Sequence, residues 1–279
     1  MLQRRHCLLA GLATGALALS EARALTAPNT GTTVRLVVGE WAPYFSPALP
    51  QLGLFAQIVS EAFGRVGLAV EYVQVPWKRA LVDVEAGLLH GSPGWALNEE
   101  RALKFLYSDP VIISRDALFF LKRRPLVYER DDDLRGKQLG ATAGYHYGAA
   151  VHHMEAEQAL KLDRAPTDEA SMRKLLLGRV DAVLMNRVAG LHLLRNKFTP
   201  AERALISVSD KFITAKTSHL LMTRKLPGGA IMLQAFDRGL AALSREGRVQ
   251  QILPADGPGH AAAIPAPKTK GAHREQRAP

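Results

Sequence analysis

The chain has 279 residues, 47% apolar and 22% charged. This is an ordinary globular composition, able to bury a sizeable core in two lobes or one large α/β domain. A single cysteine excludes a disulfide scaffold. The formal charge is +10, but the lysines and arginines are scattered and form no stripe interleaved with aromatics, which argues against a nucleic-acid partner.

Arg4-Arg5 precede an apolar run from Leu8 to Leu19, and Ala22-Arg23-Ala24 has the spacing of a cleavage site. Residues 1–24 therefore read as a signal peptide that directs the protein to a periplasm; about twelve apolar residues are too few to span a bilayer. The only thiol, Cys7, leaves with this leader, so neither a cysteine nucleophile nor a cysteine-ligated metal is expected in the mature chain. Loss of Arg4, Arg5, Arg23 and Glu21 lowers the charge to about +8, which still favours an anionic small molecule.

Val34 to Gly39 is short, β-branched and ended by glycine, as in a buried strand, and the loop Glu40-Trp41-Ala42-Pro43-Tyr44-Phe45 follows. Leu54 to Val66 repeats apolar residues at helical spacing and stops at Gly67. Leu68 to Val75 alternates like a strand, a helix runs from Trp77 to Gly87, and Leu88 to Gly94 reads as another short strand. This β-α-β-α-β alternation predicts a parallel sheet whose ligands gather at the C-terminal ends of its strands, just where Trp41, Trp77 and Trp95 are expected. The stretch Gly94-Trp95-Ala96-Leu97-Asn98-Glu99-Glu100-Arg101 unites an aromatic, an amide and a guanidinium, and reads as the centre of a binding cleft.

Ala117 to Leu121 is strand-like, and Gln138 to Ala141 starts a second α/β unit that enters Gly144-Tyr145-His146-Tyr147-Gly148. His152-His153 follow on a helix, but adjacent residues do not share a helix face, so these read as surface histidines and no metal site is expected. A helix over Ala170 to Leu177, a strand ending at Asn186, a helix over Val188 to Leu194, a strand over Ser218 to Thr223, a helix over Ile231 to Ser244 and a last short helix ending near Leu253 complete the body. Residues 254–279 mix Pro, Gly, Ala, Lys and His without periodicity and read as a disordered tail.

Four segments in register carry a resemblance to the family-three extracytoplasmic solute-binding proteins of polar amino-acid transporters. They are Asn98-Glu99-Glu100-Arg101 with Phe105 and Ser108-Asp109-Pro110; Asp133-Leu134-Arg135-Gly136-Lys137; Gly178-Arg179-Val180-Asp181-Ala182; and Leu243-Ser244-Arg245-Glu246-Gly247. The resemblance implies an α/β, two-lobed, type II periplasmic-binding-protein fold, each lobe a mostly parallel sheet flanked by helices. Lobe one would comprise residues 33–112 and 218–253 and lobe two residues 116–213, with two crossings near 112–115 and 213–217. It also implies a monomer that closes on a small-molecule ligand and delivers it to a membrane permease, with no cofactor.

Carried over residue by residue, the family's carboxylate-gripping arginine matches Arg101, whose planar fork suits a carboxylate. The aromatics that sandwich the ligand match Trp41 and Trp77, with Trp95 as a third wall. Tyr44, Asn98, Tyr145 and His146 join the candidate ligand-binding set. The aspartate that pairs with the ligand's ammonium matches Asn186, which cannot neutralise a cation. The expected balance near the cleft is cationic, from Arg101, His146 and, if they face inward, Lys78 and Arg79. The expected ligand is therefore a small polar, anionic or carboxylate-bearing, amino-acid-like solute. Two alternatives share the fold: a periplasmic dehydratase, for which Glu40 and His90 could serve as the acid although neither sits in a motif that demands it, and a stand-alone sensory domain. No catalytic residue is assigned.

Overall fold

The computed structural model describes residues 33–97 and 99–253. The segments expected to form a leader and a tail, with Cys7, thus lie outside the described residues, as does Asn98. The first half of the chain opens with β1 (Val34–Val38), α1 (Leu54–Gly64), β2 (Val70–Gln74), α2 (Trp77–Ala86) and β3 (Gly91–Ala96). β1 pairs in parallel with both β2 and β3, and it is central because Val34, Leu36, Val37 and Val38 are all fully buried, the near-continuous apolar run of a strand covered on both faces. α1 covers one face through Phe55, Ile58, Val59, Ala62 and Phe63. Next come α3 (Glu99–Lys104), β4 (Phe105–Tyr107) and the long β5 (Ile112–Leu121).

The second half contains β6 (Gln138–Thr142), α4 (Ala149–Ala156), β7 (Lys161–Ala165), α5 (Asp168–Leu176), β8 (Ala182–Asn186), α6 (Arg187–Lys197), α7 (Pro200–Ala204) and β9 (Ile206–Val208). The chain returns along β10 (Thr214–Thr223) and closes with α8 (Gly229–Arg245) and α9 (Arg248–Ile252). The strand order is β2-β1-β3-β10-β5-β8-β6-β7, with β4 on β10 and β9 on β5.

β5 and β10 tie the two halves together. They pair antiparallel from Ile112↔Ser218 to Asp116↔Thr214; beyond that, β5 takes β8 as partner from Asp116↔Asn186, and β10 takes β3 from Ser218↔Ala96. Asp116 therefore faces Thr214 on one side and Asn186 on the other. The buried apolar side chains divide accordingly: one set of cores draws on residues 34–112 and 220–252, the other on residues 118–206.

Several elements differ from the sequence expectation. β3 runs Gly91–Ala96, so Trp95 lies inside a strand and does not follow one. The strand-like segments at 117–121 and 218–223 are the ends of ten-residue strands that continue through the crossings. β7 was not expected, because it is an edge strand in which only Ala165 is buried and no apolar alternation marks it.

Candidate functional site

The loop after β1 is fastened to the start of α1. The carbonyls of Pro43 and Tyr44 accept from the backbone N–H groups of Leu54 (2.9 Å) and Phe55 (3.1 Å), two of the donors a helix leaves unpaired in its first turn. That anchor fixes Trp41 and Tyr44, whose rings lie 4.3 Å apart. The Trp41 indole N–H is buried without an acceptor among the described residues. Trp77 opens α2 behind Pro76, and its indole N–H donates to the Glu40 carbonyl at 3.1 Å. The ring stands edge-on to Phe45 (5.9 Å) and to Trp95 (5.2 Å). Two glycines make room for it: a Cβ at Gly39 would lie 2.6 Å from the Trp77 ring, and one at Gly94, where φ is +97°, would lie 2.9 Å from Phe45. Trp95 donates to the Ser92 hydroxyl at 2.8 Å, and the Arg101 guanidinium lies 5.2 Å from its ring centroid while donating to the Ala96 carbonyl at 3.2 Å. Phe45, Trp77 and Trp95 thus form one aromatic cluster with the Arg101 cation on its rim, while Trp41 stacks on Tyr44.

The second half brings the Gly144–Gly148 loop, after β6, to the crossing strands. Lys216 on β10 donates to the carboxylate of Asp116 (2.8 Å) and to the His146 carbonyl (2.8 Å), so the ion pair also fixes this loop. The His146 Nδ1 accepts from the Gly148 N–H at 3.1 Å and its ring lies 4.4 Å from that of His152. Desolvation of the ring, then its neighbours His152, Lys216 and Arg101, hold the His146 imidazole below its ordinary pKa. Tyr145 is half-buried, and burial followed by the Asp168 carboxylate raises its phenol well above the ordinary range.

Asn186 ends β8 and caps α6. Its Oδ1 accepts from the Ala189 N–H (2.9 Å) and from the Tyr44 hydroxyl (3.3 Å), while its Nδ2 donates to the Ser114 hydroxyl (2.9 Å). Both lone pairs of the amide oxygen are engaged by protein donors. An asparagine directly before a helical run is a common N-cap signal, but Asn186 was expected only as a strand end and ligand candidate.

Lys78 is exposed, and Arg79 pairs with Asp83 of the same helix at 2.6 Å. The His90 Nδ1 accepts from the Arg35 N–H at 3.0 Å and Glu40 is exposed. Sequence reading passed over two carboxylates near the Tyr145 loop. Asp116 is buried and bound by Lys216 and Thr214; an acid beside Arg115 in an otherwise apolar strand was its signal. Asp168 opens α5 and accepts from the Thr142 hydroxyl at the end of β6. It carried no signal, since an acid in the first turn of a helix is commonplace.

No protein-family profile matches the sequence. Over 156 residues the chain is 23% identical to the L-cystine-binding protein TcyJ of Escherichia coli strain K12, a match covering 56% of this chain and 55% of the relative. The chain thus spans about half the length of the curated relatives it matches. Among solved structures it is similar to a histidine kinase sensor domain with similarity to periplasmic binding proteins (22% identity, TM-score 0.63, 79% of this chain and 93% of that one). It is also similar to an ancestral arginine-binding protein bound to arginine (18% identity, TM-score 0.64, 79% and 96%). The sheet joined by two crossing strands is thus the two-lobed, type II periplasmic-binding-protein fold, which this chain shares with the substrate-binding proteins of amino-acid transporters.

Proposed function

We propose that this chain is an exported receptor, cleaved near Ala24, that holds a small carboxylate-bearing, amino-acid-like solute between its lobes and delivers it as a monomer to the permease of an ABC transporter. Lobe one would comprise 33–112 with 218–253, lobe two 116–213, and closure would bend the paired segment of β5 and β10. The observation that carries the reading is Arg101, set over the Trp95 ring at the rim of the Trp77–Trp95 pair. A guanidinium matches a carboxylate in shape and charge, and aromatic walls cover the rest of a small solute. The relative's name, an L-cystine-binding protein, agrees with a solute of this kind.

Native mass spectrometry of protein purified without refolding tests the proposal. The expected spectrum shows a co-purified small acid that is lost in Arg101→Ala. Retention of the same adduct in the variant removes Arg101 from the site, and an inability of the unmodified protein to bind any carboxylate or amino acid sinks the reading.

The likeness to a histidine kinase sensor domain favours a second reading, in which the solute-loaded receptor is read by a signalling partner. Deleting the gene separates the two. Loss of labelled-solute uptake marks a transport receptor; intact uptake with a lost transcriptional response marks a sensor.

A further inference from the structure

An amino-acid-like solute carries a cation as well as a carboxylate, and Asn186 offers that cation nothing: its oxygen is filled by Ala189 and Tyr44 and its nitrogen is a donor. Asp116 is equally committed, since Lys216 and Thr214 both bind its Oδ2. Asp168 is different. It starts α5 beside the C-terminal end of β6, is half-buried, and accepts from a neutral hydroxyl, that of Thr142. Among the described residues no lysine, arginine or histidine forms an ion pair with it. Thr142, whose hydroxyl binds it, also accepts from the Tyr145 N–H at 3.2 Å, so Asp168 sits at the root of the loop that the proposed site uses. A carboxylate has about four acceptor positions, and a single hydroxyl fills one of them.

The alternative is that Asp168 merely complements the helix dipole. Glu169, the next residue, already does so while paired with Arg173 at 2.7 Å. A dipole role does not require burial, which penalises a charge that lacks a cationic partner. That penalty is visible in the Asp168 carboxyl, which burial pushes above the usual carboxylate range.

We propose that Asp168, and not Asn186, receives the cationic end of the solute, so that the cleft takes a zwitterion with its carboxylate at Arg101 and its ammonium beside Thr142 and Tyr145. This rests on the binding function proposed above.

Titration calorimetry of the full chain tests it with matched pairs of probes: L-cystine against 3,3′-dithiodipropionate, and L-arginine against 5-guanidinopentanoate, each pair differing in the α-ammonium groups. The unmodified protein is expected to bind an amino acid at least about tenfold more tightly than its des-amino partner, and Asp168→Asn is expected to weaken the amino acid about 10- to 100-fold while leaving the des-amino compound within about threefold. Asp168→Ser, which preserves a helix-start residue, should behave alike if the amide variant folds poorly. The unliganded Asp168→Asn protein should also melt higher, because a half-buried charge is removed; a purely structural acid predicts a lower melting point and equal losses for both probes. Equal affinity of the unmodified protein for both members of a pair, or full retention of the amino acid by both variants, overturns the assignment of Asp168 while leaving the receptor reading intact. Binding of neither member of either pair overturns both.

Discussion

Tyr44 and Asn186, 142 residues apart, meet through a buried hydrogen bond of 3.3 Å that joins the loop after β1 to the end of β8. The same amide caps α6 and reaches Ser114 on β5, so one side chain links the first half, a crossing strand and a helix of the second half. Tyr44→Phe removes one donor and leaves the cap, and should cost about 0.5–1.5 kcal/mol in urea denaturation. Asn186→Ala removes the cap and the Ser114 bond together and should cost about 2 kcal/mol or more. Asn186→Asp keeps the capping oxygen and should fall between the two. Equal stability of Asn186→Ala and the parent would show that the cap is dispensable.

The Trp77 ring depends on a missing side chain. With a Cβ at Gly39 only 2.6 Å from that ring, Gly39→Ala must displace the tryptophan from Phe45 and Trp95 or strain β1. Overpacking of this kind costs about 1–3 kcal/mol. The expected result is a lowered denaturation midpoint with a shift in tryptophan emission, and weaker solute binding if Trp77 is a wall of the cleft. An unchanged emission spectrum would mean that the ring is not held as described.

How far the sequence reached follows from the kind of information each feature needs. The positions of Trp41 and Trp77 just past strands were legible because local pattern sets them: a residue just past a buried strand comes to a strand end whatever the rest of the chain does. The α/β alternation was legible for the same reason. Asp116 with Lys216 and Asp168 with Thr142 were not, since these pairs depend on the register of β5 with β10 and of β6 with β7, which no local spacing encodes. Asn186 shows a subtler limit. Its position in the chain was read, but the choice between cap and open ligand position turned on Tyr44 and Ser114, neither of them near it in sequence.

Lys216 and Asp116 form an ion pair at the crossing itself, with Asp116 only 3% exposed. Removing the lysine leaves a carboxylate buried without a cation, the costly direction for such a pair. Lys216→Met should destabilise by about 3 kcal/mol, and the double variant Asp116→Asn/Lys216→Met should recover much of that loss. Additive losses in the double variant would show that the two residues act separately. The Lys216 bond to the His146 carbonyl predicts a further effect: the single variant should show faster amide exchange in the Gly144–Gly148 loop.

His219 offers a test through pH. It is buried on β10, with Nδ1 at 2.8 Å from the Ser108 carbonyl and Nε2 at 2.8 Å from the Thr217 hydroxyl. The carbonyl can only accept, so the neutral tautomer carries its proton on Nδ1 and receives the Thr217 hydroxyl at Nε2. Burial holds the imidazole below its ordinary pKa, as it does for His146 and His192. The unfolded chain therefore binds more protons than the folded one as pH falls below about 6.5, and stability declines with falling pH over that window. Asp168, held above its ordinary value, acts in the opposite sense at lower pH, where protonation relieves its burial and offsets part of the loss. Denaturation midpoints should fall between pH 7.5 and 5.5, and His219→Gln should flatten that slope while lowering stability at pH 7.5 through the lost pairing with Thr217 or Ser108. An unaltered slope in the variant would assign the pH dependence to the other histidines.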